Sequence, residues 1–149
     1  MNATPPIPNA VESEVRELIT AWEQTVRSRD VSRIMAYYSD DVVAFDAIKQ
    51  LQFIGREAYG AHWAACMAMC TGPMIFEIHQ LSINASEDLA FCHFLNRCGG
   101  TDNNGQQQSS WMRTTSCLRR QEGQWRIVHE HFSMPVDMES GAALFDAKP

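Results

Sequence analysis

The sequence predicts an α+β fold: a cone-shaped α+β barrel in which a curved antiparallel sheet wraps over three N-terminal helices. Three observations predict it. Up to Met69 the apolar residues recur mostly at helical spacing, interrupted by two short strand-like runs. After Pro73 everything alternates with period two between breaks rich in turn residues. Helices first and a strand meander second is the order of an antiparallel sheet covered on one face. Each helix has one apolar stripe to bury, and a long curved sheet over helices leaves a conical cavity at its open end.

The elements follow in order. Val15, Leu18, Ile19, Trp22 and Val26 mark a helix over residues 11–29. Asp30 can cap a second, over 31–38, with Ile34, Met35 and Tyr38 on its apolar side. Ser39-Asp40-Asp41 breaks that pattern, and 42–46 and 51–54 read as short strands around a loop. Gly55 leads into a third helix, 56–69, stopped by Thr71-Gly72-Pro73. Long strands are expected at 74–84, 89–98, 107–120 and 124–134, separated by Ala85–Asp88, the loop Gly99–Gly105 and the hairpin turn Gln121-Glu122-Gly123.

Composition narrows the function classes. At 149 residues, 45% hydrophobic and 20% charged, the chain suits one globular domain with a sizeable core. Residues 1–10 hold three prolines and read as a flexible lead-in, and residues 11–149 as the domain. A net charge of −6 without any Lys/Arg cluster excludes a nucleic-acid surface. No apolar run is long enough to span a membrane, and the N-terminus has neither the basic nor the apolar region of a signal peptide. The five cysteines form no CxxC pair, and they read as reduced thiols of a cytoplasmic protein. Without a recognised zinc spacing, a GxGxxG, a P-loop or a GxSxG elbow, neither a metal nor a cofactor is expected, and nucleophilic hydrolysis has no support.

The strand Gln124–Ser133 is the richest in chemistry. Strict alternation places Trp125, Ile127, His129, His131 and Ser133 on one face, and Arg126, Val128, Glu130 and Phe132 on the other. A Trp faces helices more readily than solvent, so both imidazoles are expected in the cavity, as acid, base, hydrogen-bond donor or pocket lining. On the preceding strand Trp111, Arg113, Thr115 and Cys117 share a face. Arg113 there suits a ligand carboxylate or phosphate, or equally an internal acid such as Asp46 or Glu130. Asp46 closes the first apolar strand, where a carboxylate can serve as general base or merely cap a loop. Asn96 is preferred to His93 as a pocket amide, although alternation leaves the inward face of that strand open. Tyr59, Trp63 and Met67, four apart on the third helix, read as core or pocket wall.

Three segments carry a family resemblance: Tyr38–Asp46, Phe53–Tyr59 and Gly123–Ser133. They are similar to the exit into strand one, the entry to helix three and the final strand of the nuclear transport factor two-like superfamily. The nearest branch is that of ketosteroid-isomerase-like and SnoaL-like (polyketide-cyclase-like) proteins. The resemblance implies a cone-shaped fold with a small-molecule pocket. It also implies Asp46 as base, with His129 or His131 assisting and Tyr59, Trp63, Asn96, Trp111 and Arg113 around the ligand. Ketosteroid isomerase, a worked case of an Asp base with an oxyanion hole of Tyr and protonated Asp, is the mechanistic analogy. This chain departs from it, because its first helix offers Trp22 and no Tyr. Proton transfer on another small carbonyl compound (isomerase, cyclase or dehydratase) is one expectation. A non-catalytic binding module or an association domain is the alternative, because one fold serves many functions. A homodimer is expected through an outer sheet face carrying Val128, Phe132, Met112 and Leu118, which would be costly to expose.

Overall fold

The computed structural model describes residues 9–149, so the N-terminal lead-in lies almost wholly outside the described residues. The elements are α1 (Ala10–Arg27), α2 (Val31–Met35), β1 (Tyr38–Phe45), β2 (Phe53–Ile54), α3 (Arg56–Met67), β3 (Thr71–Ala85), β4 (Leu89–Thr101), β5 (Gln107–Gln121) and β6 (Gln124–Ser133). Side chains start both early helices. Asn9 Oδ1 accepts from the Glu12 N–H at 2.8 Å, and Asp30 Oδ1 from the Arg33 N–H at 3.2 Å. The end of α3 is held by Arg29, whose guanidinium donates to the carbonyls of Met67, Cys70 and Gly72.

The strands form one curved, six-stranded sheet in the order β2-β1-β6-β5-β4-β3. Neighbours are antiparallel except β1 and β6, which run parallel. The helices lie on one face. The apolar stripe of α1 (Val15, Ile19, Trp22 and Val26) is buried there, with the Trp22 ring edge-on to Phe76 and Trp63 at centroid distances of 5.3 and 6.3 Å. Among the described residues no helix is long and apolar enough to cross a membrane.

Strand β6 does not alternate throughout. Opposite β5, Cys117 pairs with His129 but Leu118 pairs with Ile127, so Val128 is an extra residue. This β-bulge reverses the side-chain phase. Trp125 and Ile127 point to the helices as expected; beyond the bulge Glu130 and Phe132 do so instead.

At the far end of the β4–β5 pair, Gly99 lies so close to its neighbour strand that a Cβ would overlap the Gln108 carbonyl oxygen and come within 2.7 Å of Ser109 Cα. Backbone cannot yield as a side-chain tip does. Gly99→Ala is therefore expected to cost about 2 kcal/mol and lower the melting temperature by roughly 4–8 °C. Thermal melts of the two proteins check this, and equal melting temperatures would count against so tight an approach.

Candidate functional site

Under the sheet, between α3 and the middle of β3–β6, is a cavity of about 110 Å³ that opens to solvent beside Ile48. Its wall is mostly apolar: Trp63 from α3, Met74 and Phe76 from β3, Met112 from β5 and Phe132 from β6. Besides the thiol of Cys98 on β4, four polar groups break that wall. Asp46 arrives from the end of β1, His62 and Cys66 from α3, and Asn96 from β4.

Asp46 is fixed at the cavity by its own loop. Its Oδ1 accepts from the Ile48 N–H at 3.1 Å, and its Oδ2 lies 3.4 Å from His62 Nε2. The His62 ring stacks on Phe53 at 4.1 Å and sits 3.6 Å (Nε2) and 3.9 Å (Nδ1) from Cys66 Sγ. Asn96 is fully buried and its Oδ1 accepts from the Thr114 hydroxyl at 2.9 Å. Its Nδ2 has no partner, and neither has the buried Trp63 Nε1. Two residues with unpartnered buried N–H groups thus line one cavity with Asp46 and His62. A buried donor without a partner is costly, and a ligand oxygen would satisfy it.

Deeper in the core, and not lining the cavity, lies Glu130. It is fully buried and accepts from the hydroxyls of Tyr59 at 2.6 Å, Tyr38 at 2.8 Å and Ser116 at 3.4 Å. Trp22 Nε1 in turn donates to the Tyr38 oxygen at 3.1 Å. Burial pushes the Glu130 carboxyl up to about 7, against the lowering effect of the tyrosine hydroxyls. Burial and the adjacent carboxylate raise both tyrosines well above their usual range, so they remain donors.

Of the expected site residues, Asp46, Trp63 and Asn96 meet at the cavity. Tyr59 stands behind it, facing Glu130 and packed edge-on to Trp63 at 6.1 Å. His129 and His131 do not enter, because the bulge at Val128 turns them to the sheet face away from the helices. There His129 Nδ1 donates to the Val43 carbonyl at 2.6 Å, and both rings pack against Phe45. His131 does share an open groove with Asp46, outside loop 46–52. That groove is larger and more open to solvent than the cavity, and neither Trp63 nor Asn96 lines it.

Trp111 and Arg113 are also on the outer face, because β5 buries Met112, Thr114, Ser116 and Leu118 instead. Arg113 pairs with neither acid; its Nε donates to Ser133 Oγ at 3.0 Å. The outer face expected for Phe132, Met112 and Leu118 is likewise corrected, since all three are buried. His62 and Cys66 were not expected at the site, and Glu130, placed by alternation on the face away from the histidines and Trp125, is the buried acid behind it. A signal for the first two existed: Tyr59, His62, Trp63 and Cys66 fall at i, i+3, i+4 and i+7, one face of a helix.

Among the described residues no group of three His, Cys, Asp or Glu side chains is arranged to hold a metal ion.

The profile of the SnoaL-like domain matches residues 15–137. An NTF2-like protein of unknown function from Pseudomonas putida is 57% identical, with 93% of this chain and 96% of that one covered at a TM-score of 0.85. Two further structures show the same fold at 18% identity. One is a putative calcium/calmodulin-dependent protein kinase II association domain from Xanthomonas campestris (TM-score 0.75, coverage 97% and 94%). The other is a ketosteroid isomerase-like protein from Erwinia carotovora atroseptica (TM-score 0.71, coverage 85% and 97%). No functionally curated protein matches the chain. The chain belongs to the SnoaL-like domain family and has the cone fold of the NTF2-like superfamily.

Proposed function

We propose that the protein binds a small, mainly apolar carbonyl compound in the cavity and moves a proton on it, as an isomerase, cyclase or dehydratase does. The observation that carries this reading is the meeting, around one small cavity, of Asp46 with Trp63 and Asn96, each of which has a buried N–H without a partner. Asp46 takes a proton from the carbon next to the carbonyl. The two N–H groups receive the negative charge that grows on the carbonyl oxygen. His62 lies beside that carboxylate, its Nε2 3.4 Å from Oδ2. An engineered cavity of about 150 Å³ holds benzene, so a volume of this order suits a ligand of about six heavy atoms and is too small for a steroid.

Cyclopentanone is a fitting probe. In deuterated water, NMR is expected to show its α-protons exchanging faster with the protein than in buffer alone. Binding without exchange would favour a ligand-binding module; neither binding nor exchange would sink the reading and favour an association domain.

The homodimer is proposed through other residues than first expected. Phe45 and Phe91 are exposed on the sheet face away from the helices, with Cys117 half-buried beside Phe91. A monomeric mass in solution at micromolar concentration would count against it. Five unpaired thiols support a cytoplasmic location.

A further inference from the structure

The cavity is lined by two thiols that proton transfer does not use, Cys66 and Cys98, and of these Cys66 has an imidazole beside it. Cys66 is one helical turn after His62, so both side chains leave α3 on the same face. The imidazole stands beside both groups: Asp46 Oδ2 is 3.4 Å from Nε2, and Cys66 Sγ is 3.6 Å from Nε2 and 3.9 Å from Nδ1. Whichever nitrogen of the neutral ring lacks the proton is close enough to take one from the thiol. A thiol beside a base is the core of an activated nucleophile. Burial and the Asp46 carboxylate push the Cys66 thiol up, so it rests protonated and needs that base.

What the thiol would attack is set by the groups opposite. Trp63 is 8% exposed and Asn96 not at all, and each lines the cavity and has a buried N–H without a partner. Such donors suit an oxygen that gains negative charge while sulfur attacks elsewhere on the same small molecule. We propose that Cys66 captures small α,β-unsaturated ketones by conjugate addition, with His62 as its base and the Trp63 and Asn96 N–H groups as the oxyanion site. Sulfur bonds to the β-carbon and the C=C π pair moves onto the carbonyl oxygen, giving an enolate held by the two N–H groups. The proton that His62 took from sulfur returns to the α-carbon. Atoms and charge balance with no further reactant. The proposal shares the cavity and its N–H donors with the preceding reading, but not its base or its reaction.

The test uses cyclopent-2-enone on protein carrying Cys70→Ser, because Cys70 is exposed and outside the cavity. Intact mass and fragment sequencing are expected to show one adduct, on Cys66, slowed about tenfold by His62→Gln and formed about tenfold or more faster than on Cys117 outside the cavity or on Cys98, which lines the same cavity against Met112 with no imidazole beside it. Trp63→Phe removes one N–H and keeps an aromatic wall. It is expected to slow the enone but not iodoacetamide, a neutral alkylating agent whose displacement makes no enolate. Labelling that follows thiol exposure alone, or a Trp63→Phe that slows both reagents equally, would overturn the proposal. Should His62→Gln unfold, the site distribution and the reagent ratio still decide. Cyclopentanone has no alkene, so its exchange scores the proton-transfer reading separately. Exchange without an adduct overturns the thiol alone, and an adduct without exchange overturns the base alone.

Discussion

Glu130→Gln is expected to remove a fall in stability that the wild type undergoes between about pH 4.5 and pH 7. Glu130 titrates at about 7 in the fold against an ordinary value of 4.5. Between those values the folded chain holds a proton that the unfolded chain has lost, so stability declines as pH rises. The contribution is complete below pH 4.5 and gone above about pH 7, a difference of about 3 kcal/mol. The groups facing the carboxyl from other elements are Tyr38 on β1, Tyr59 on α3 and Ser116 on β5, with Asp46 acting from farther off. None of the three hydroxyls brings a positive charge to hold the carboxylate ionised. Gln has the shape of the protonated acid and no charge to lose. Its melting temperature relative to wild type should therefore be higher at pH 8 than at pH 5, by roughly 6–12 °C. Parallel melting curves across that range would show that Glu130 does not titrate there.

Asp46→Asn is expected to lower cyclopentanone exchange by about 100-fold or more, the usual scale for losing a positioned general base. Asn keeps the size of the side chain, and its oxygen can still accept from the Ile48 N–H. Trp63 and Asn96 are untouched. Binding, followed by ligand line broadening in NMR, should therefore change little while the rate collapses, separating base from wall. An Asp46→Asn protein that exchanges at the wild-type rate would remove Asp46 from the reaction.

Most of the architecture was legible because it follows from periodicity. Trp22, Val15 and Ile19 recur at helical spacing, and the turn residues between strands announce the meander. Pairing of β1 with β6 was not legible, because parallel partners far apart in sequence share no turn. The site was half legible. Asp46 is marked by its place after an apolar strand, and Trp63 by its helical spacing from Tyr59. The histidines of β6 were misread for one physical cause. A bulge adds a residue without changing composition, so alternation counted from Trp125 runs out of phase beyond Val128. On β5 the inward assignment of Trp111 and Arg113 leaned on the neighbouring histidines, yet Trp111 packs against His79 on the outside at 4.9 Å.

The parallel join of β1 to β6 also sets the order in which the chain can be completed. Strands β3 to β6 are neighbours in sequence as well as in the sheet, so they can zip together turn by turn, and α1 can dock on β3 once that strand exists. β1 and β2 pair with each other but with no later strand that follows them directly. They enter the sheet only through β6, where Val43 and His129 meet 86 residues apart. Closing so long a loop is slow but adds little further entropy cost with length. A chain emerging from the ribosome therefore carries β1, and the Tyr38 that will face Glu130, with only the two-residue β2 as sheet partner until β6 has been synthesised. During that interval the unpaired β1–β2 edge is the part of the nascent protein most in need of protection from other chains.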